Sequence, residues 1–246
     1  PLAGAIVAVL ASAVLALLIG YPCFHFRIVG HYFALVTLAL AEVVRLTIVG
    51  LRDSTGGSLG VTPAPGIPAG ESASLFALQF SDRTVWFYII LVMWLLSLYV
   101  WRRVDRSMTR LALQAISEDE DAAASIGINV PRSKLGVATL SAVMTAIGGV
   151  LYAQYQLYVN PETVSGIAIS LQIVFGAIAG GMFVTLGPTV GAVFLLLLSE
   201  SLRILVGNQV HGLDMLIYGA LLVFFIIYMP KGILGTWLEW RERRAG

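Results

Sequence analysis

The chain has 246 residues, of which 58% are apolar and only 12% are charged, with fifteen Lys and Arg against fourteen Asp and Glu. A soluble domain averages about 25% charged residues, so this composition excludes a water-soluble enzyme or binding module, and its hydrophobicity excludes intrinsic disorder. Cys23 is the single cysteine, which excludes a disulfide scaffold, and the balanced charge argues against a nucleic-acid partner.

What remains is an all-α integral membrane protein, partnered by the lipid bilayer. A spanning helix takes about 20 residues. With charges as punctuation, seven apolar segments stand out, roughly 2–20, 31–50, 84–101, 134–157, 166–185, 188–206 and 213–229. They predict a polytopic bundle of about seven transmembrane helices forming one domain over 1–246.

The first segment starts at Pro1 with no initiator Met, and Leu2–Tyr21 has no basic n-region. It reads as a span already under way, in a chain truncated at its N-terminus, or as the start of a mature fragment, and not as a signal peptide. The second segment carries Glu42 and Arg45, whose i,i+3 spacing puts both on one helix face. Glu200 and Arg203 repeat the pattern at the end of the sixth. Ionisable groups inside spans mark functional positions by default. These pairs read either as a polar lining for the zwitterionic end of an amino acid or as structural ion pairs near an interface.

Loop 51–83 follows the second segment. It holds Ser54-Thr55-Gly56-Gly57-Ser58-Leu59-Gly60 and then Pro63, Pro65 and Pro68, a run that cannot continue a helix. It reads as a compact cap or as a plain connector. Further on, Gly180-Gly181 and Gly187-Pro188 interrupt 166–206, which is either two spans or a pair of broken or re-entrant helices. Gly176 with Gly180, and Gly187 with Gly191, form small-xxx-small patterns that let helices pack closely. Gln154 and Gln172 suit uncharged substrate contacts, and interhelical hydrogen bonds explain them equally well. His25, His31 and His211 are too scattered for metal ligation, so no metal site is expected.

Lys and Arg set the orientation. Six of the fifteen fall between Arg102 and Lys134, and four in the tail from Lys231 to Gly246. Both stretches are expected to be cytoplasmic, the C-terminus included, with loop 51–83 external.

Loop 102–134 is the most informative. Its middle reads Ser117-Glu118-Asp119-Glu120-Asp121-Ala122-Ala123-Ala124-Ser125-Ile126-Gly127. Ser117 and Glu120 have capping-box spacing, acids suit the positive end of the helix dipole, and Gly127 is placed to terminate the helix in the left-handed conformation. Pro131 prevents its resumption. The expectation is a capped helix of about two and a half turns. Rich in small residues, it either approaches another protein closely or simply joins two spans.

Asp121-Ala122-Ala123 followed by Gly127 resembles the EAA loop of ABC-importer permeases, with Asp in place of the usual Glu. The wider run Ala115–Val130 resembles the branched-chain amino acid permeases of the LivM type. So do Tyr32–Ala39 with Thr55–Ser58, Leu186–Ala192 and Pro230–Gly235. The resemblance covers nearly the whole chain in order. It implies a permease subunit in a bacterial or archaeal cytoplasmic membrane. Its implied partners are a second permease subunit, two cytoplasmic ATPase subunits that bind ATP and Mg, and an extracytoplasmic substrate-binding protein. On this resemblance Glu118, Glu120, Asp121, Ala122, Ala123 and Gly127 contact or shape the coupling site. Glu42, Arg45, Gln154, Gln172, Glu200 and Arg203 are candidates for the substrate pathway. The chain lacks G-x-x-x-x-G-K-[ST], so no cofactor and no catalytic role of its own are expected. Members of the family usually carry two or three further hydrophobic segments before the point where this chain begins. The competing class is an ion-coupled secondary transporter using Glu42 and Glu200. An intramembrane hydrolase is the third, without a G-x-S-x-G context.

Overall fold

Leu2–His25 carries no charge before its terminal His25, and its one helix breaker, Pro22, falls in the last turn. It therefore forms a single long helix, α1. The computed structural model describes residues 2–28, 30–62, 80, 82–182, 184–206, 213–229 and 231–245. After α1 come α2 (His31–Gly50), α3 (Arg52–Thr55), a 3-10 turn (Gly57–Leu59), α4 (Arg83–Asp105), α5 (Met108–Glu118), α6 (Glu120–Ser125), α7 (Val130–Gln156), α8 (Pro161–Ser165), α9 (Ile167–Gly180), α10 (Gly187–Val206), α11 (Leu213–Tyr228) and α12 (Gly232–Ala245). Each of the seven apolar segments holds one of these helices. Five described stretches have the length and composition of a membrane span: Leu2–His25, Tyr32–Gly50, Arg83–Asp105, Val130–Gln156 and Pro161–Gly180.

The chain divides into two compact units, Pro1–Val164 and Ser165–Gly246. In the first, α1 packs along α7. The absence of a side chain at Gly20 brings α1 close to Leu135, and Ser12 Oγ donates to the Ala142 carbonyl at 3.3 Å. Along α1, Leu10, Val14 and Leu18 are each more than half exposed. A contiguous apolar face of this kind is incompatible with water and natural in lipid.

Asp82 caps α4, its carboxylate accepting from Thr84 N–H at 2.9 Å. Trp86, one turn in, is buried at 5% exposure. Its indole N–H donates to the Phe80 carbonyl at 3.1 Å, and its ring meets Tyr155 of α7 edge-on, centroids 5.7 Å apart. A second tie joins the 51–62 region to the end of α7. Val61 and Val159 form an antiparallel bridge, and Tyr158 donates its hydroxyl to the Leu59 carbonyl at 2.7 Å. The remainder of loop 51–83, including Pro63, Pro65 and Pro68, lies outside the described residues apart from Phe80, Asp82 and Arg83.

In the second unit, Phe175 and Ala179 of α9 are buried with Phe225 of α11, and Phe194, Leu195, Leu221, Met229 and Ile233 pack around them. Glycines bring the backbones together. A Cβ at Gly180 would overlap the Gly187 carbonyl, and one at Gly191 would overlap that of Gly176. The small-xxx-small patterns thus form the α9–α10 contact itself. Segment 166–206 is two separate helices joined by residues 181–186. At 14 residues α9 is about 21 Å long, and the stretch reaches the length of a span only with α8 included. At the end of the chain, Arg244 lies over the Trp240 ring at 3.7 Å and Arg241 over Trp237 at 5.8 Å. This mixed aromatic and cationic surface suits a membrane interface.

Candidate functional site

Between α4 and α7 the chain leaves the apolar pattern and builds a small folded element. Along α5, Ile116 is buried while Met108 and Leu111 are exposed, at 81% and 60%. The helix stops because Asp119 is extended, at φ −155° and ψ 118°. The Asp119 carboxylate then accepts from the N–H groups of Asp121 and Ala122, at 2.8 and 2.9 Å, and starts α6. This corrects the capping box expected from Ser117 and Glu120. Ser117 Oγ instead donates back to the Gln114 carbonyl at 2.7 Å, inside α5. A short acidic side chain directly before the turn reaches the free N–H groups better than a serine two residues further back. The expected helix of about two and a half turns is accordingly shortened to the six-residue α6, and Ser117 and Glu118 close the preceding α5.

The other end of α6 follows expectation. Gly127 is left-handed at φ 92°. Ile128 N–H donates to the Ala123 carbonyl at 3.1 Å and Gly127 N–H to the Ala124 carbonyl at 3.0 Å, which closes a Schellman turn. Ile128 also packs on the cluster of Ile116, Ala123 and Val130, so the turn carries its usual apolar contact. Asn129 then caps α7 by accepting from Arg132 N–H at 3.1 Å, with Pro131 in the first turn, where a missing N–H costs nothing.

Of the predicted coupling residues, Glu118, Asp121, Ala122 and Gly127 are exposed, Glu120 is half-buried and Ala123 is buried. Glu120 pairs with Lys134 of α7, and Asp121 with Arg27 beyond the end of α1, at 2.7 Å. The outward surface of α6 is therefore Asp121, Ala122, Ala124 and Ser125, ending in Ile126 at 74% exposure. Sequence reasoning missed Asp119 as the cap, Lys134 and Arg27 as anchors, and Ile126 as an exposed apolar side chain. Asp119 stood within the acidic run and was legible in principle. Arg27 is 94 residues from its partner, beyond any local signal.

The candidate pathway residues are divided between the two compact units. Glu42 and Arg45 pair within α2, with Arg45 Nε donating to Glu42 Oε2 at 2.9 Å and Nη2 to Oε1. This is the expected i,i+3 contact. Gln154 lies half-buried on α7, its Oε1 buried without a hydrogen-bond partner. Gln172, on α9, and Glu200, on α10, belong to the other compact unit, where Glu200 is exposed. The side chain of Arg203 lies outside the described residues. A groove of about 300 Å³ between α1 and α7 is lined only by apolar side chains, among them Leu2, Ile6, Leu10, Ile147 and Leu151. Such a lining offers nothing to the charged ends of an amino acid. No group of three or more His, Cys, Asp or Glu comes together to hold a metal among the described residues.

Long apolar helices with lipid-compatible faces, joined by a folded polar element, define a multi-pass helical membrane protein. The family model for the branched-chain amino acid transport system, permease component, matches residues 1–226. The chain belongs to that family. It is 32% identical over 257 residues to the high-affinity branched-chain amino acid transport system permease protein LivM of Salmonella typhimurium, covering 95% of this chain and 56% of that protein. Its identity to LivM of Escherichia coli K12 is 31%, with the same coverage. The second permease protein of that name series, LivH of Escherichia coli K12, is 27% identical over 165 residues, 67% of this chain and 49% of LivH. The chain thus spans about half the length of the curated relatives it matches. No solved structure matches it.

Proposed function

We propose that this chain is a permease subunit of an ABC importer. It forms part of the membrane pathway for branched-chain amino acids or related small polar solutes, and separate ATPase subunits drive it through α5 and α6. The observation that carries the reading is the build of α6. The helix is only six residues long, yet it has an aspartate cap at one end, a glycine-closed turn at the other and its own apolar base. A connector between spans needs none of these. A knob that presents Ala122, Ala124, Ser125 and Ile126 in a fixed orientation does, because small residues let a partner surface approach closely.

On this reading α5 and α6 are cytoplasmic, as is the C-terminus. The partners are a second permease subunit, two ATPases that carry ATP and Mg, and an external binding protein that selects the solute. Glu118 and Asp121 lie beside the docking face, while Ala123 and Gly127 shape it. Gln154, with its unpaired acceptor, is the polar group in α7 best suited to a passing solute's donors. The ion-coupled alternative fits less well, because the Arg45 guanidinium already occupies the Glu42 carboxylate.

The test is copurification and reconstitution with the ATPases encoded beside the gene. Ile126→Asp is expected to lower ATPase binding and stimulated hydrolysis while membrane insertion stays intact. Unchanged ATPase stimulation would remove the coupling role from α6.

A further inference from the structure

Arg27 lies just beyond α1, and its backbone is left-handed, with φ 53°. Two hydrogen bonds define its turn. Ile28 N–H donates to the Cys23 carbonyl at 2.9 Å, and Arg27 N–H to the Phe24 carbonyl at 3.3 Å. This is the motif that closes α6, where Gly127 takes the left-handed position. Glycine adopts that conformation freely, whereas any residue with a Cβ crowds its own backbone there. Arginine is therefore an unfavourable choice for the turn itself.

The Arg27 guanidinium reaches the Asp121 carboxylate of α6 at 2.7 Å. The two side chains are 70% and 81% exposed, so the pair adds little to stability. Neither the turn nor the ion pair, taken as a stabilising feature, accounts for an arginine here. What the residue supplies is reach from the end of α1 to α6. The neighbouring residue of α6, Glu120, is held by Lys134 near the start of α7. The two anchors thus come from α1 and α7, the helices that pack along each other.

We infer that Arg27 is a positioning residue of the coupling element. With Lys134 it clamps α6 onto the α1–α7 pair, so that a displacement of α6 moves those two helices together. The inference rests on the coupling role proposed above for α6. Its distinct content is the route by which the displacement enters the membrane.

The experiment uses the full-length permease in its intact transporter, reconstituted in liposomes with radiolabelled leucine as the transported probe. Four variants are compared with wild type: Arg27→Asp, Asp121→Arg, the double swap and Arg27→Gly. Uptake per ATP hydrolysed and amide exchange across residues 120–127 are the readouts. Each single reversal is expected to cause a severalfold loss of uptake per ATP and faster exchange in α6, and the double swap to restore both. Arg27→Gly relaxes the turn, so it should melt no lower than wild type and still lose uptake per ATP. Full uptake per ATP in Arg27→Gly and Arg27→Asp would overturn the clamp, as would inactive single variants that the swap fails to rescue. Ile126→Asp in the same assay separates the two ideas. If it abolishes ATPase stimulation while the Arg27 variants remain fully coupled, the clamp is wrong and the docking role of α6 stands. If it changes nothing, the docking role fails and the clamp fails with it.

Discussion

Ala123 of α6, 2% exposed, is buried against Ile116 of α5, 5% exposed, across the helix break at Asp119. The methyl group belongs to the element's own base and not to the exposed face proposed for docking. Ala123→Leu should overpack this cluster and cost about 1–3 kcal/mol. The expected outcome is a lower melting temperature and weaker ATPase stimulation together. Ala124→Leu, on the exposed side, should weaken stimulation without lowering the melting temperature.

The cap assignment separates two neighbours that the sequence makes equally plausible. Asp119→Ala removes the acceptor for two N–H groups and should cost about 1 kcal/mol. Ser117→Ala should change stability by less than about 0.5 kcal/mol, as surface substitutions away from such features do. Amide exchange at Asp121 and Ala122 reads the difference directly: it should accelerate in the first variant and not in the second.

Much of this was legible beforehand, for reasons tied to particular residues. The seven apolar segments emerged because Arg52, Arg83 and Arg102 punctuate them, and the end of α6 emerged because Gly127 has a local conformational signature. The Glu42–Arg45 contact follows from helical spacing alone. What stayed hidden depends on the third dimension. Asp119 could have been an ordinary helical acid until its extended backbone made it a cap. Arg27 and Lys134 meet neighbours in α6 through the packing of α1 on α7, and no short-range pattern records that. Whether Gln154 and Gln172 serve one pathway is likewise not written in helical periodicity.

Two glycines should respond differently to the same substitution. Gly127→Ala meets open space, with nothing within 4 Å of the added carbon, so its cost is the left-handed backbone alone, about 1 kcal/mol. Gly180→Ala meets the Gly187 carbonyl and forces α9 and α10 apart. Its expected cost is at least about 1–3 kcal/mol, with loss of folded protein in membranes. Thermal melting of the purified variants checks the order.

The Glu42–Arg45 pair can be assigned to structure or to transport by double substitution. Glu42→Gln or Arg45→Gln alone leaves an uncompensated charge in a span and should lower the amount of folded protein in the membrane. The double variant should accumulate close to wild type. If the pair is structural, transport recovers with it; if the pair lines the pathway, transport stays lost at normal protein levels.

At the start of α4, the Thr84 N–H and hydroxyl hold the Asp82 carboxyl below the usual carboxylate range. Its folded value is below its unfolded value, so the cap contributes fully above the unfolded value and is lost as pH falls through the lowered one. Asp82→Asn keeps an acceptor at every pH. The stability advantage of wild type over this variant should therefore stay constant at neutral pH and fall as pH drops into the ordinary carboxylate range and on through the lowered value. Melting temperatures measured across that range test the sign.

The central claim is that this permease is driven by ATP hydrolysed on other chains. It is tested most directly by leucine uptake into liposomes that hold the full transporter, with ATP and the ion gradient varied independently. The account predicts uptake that requires ATP on the side of α6, persists when the proton and sodium gradients are dissipated, and is lost in Ile126→Asp. Uptake that proceeds without ATP and follows an imposed proton or sodium gradient would contradict it.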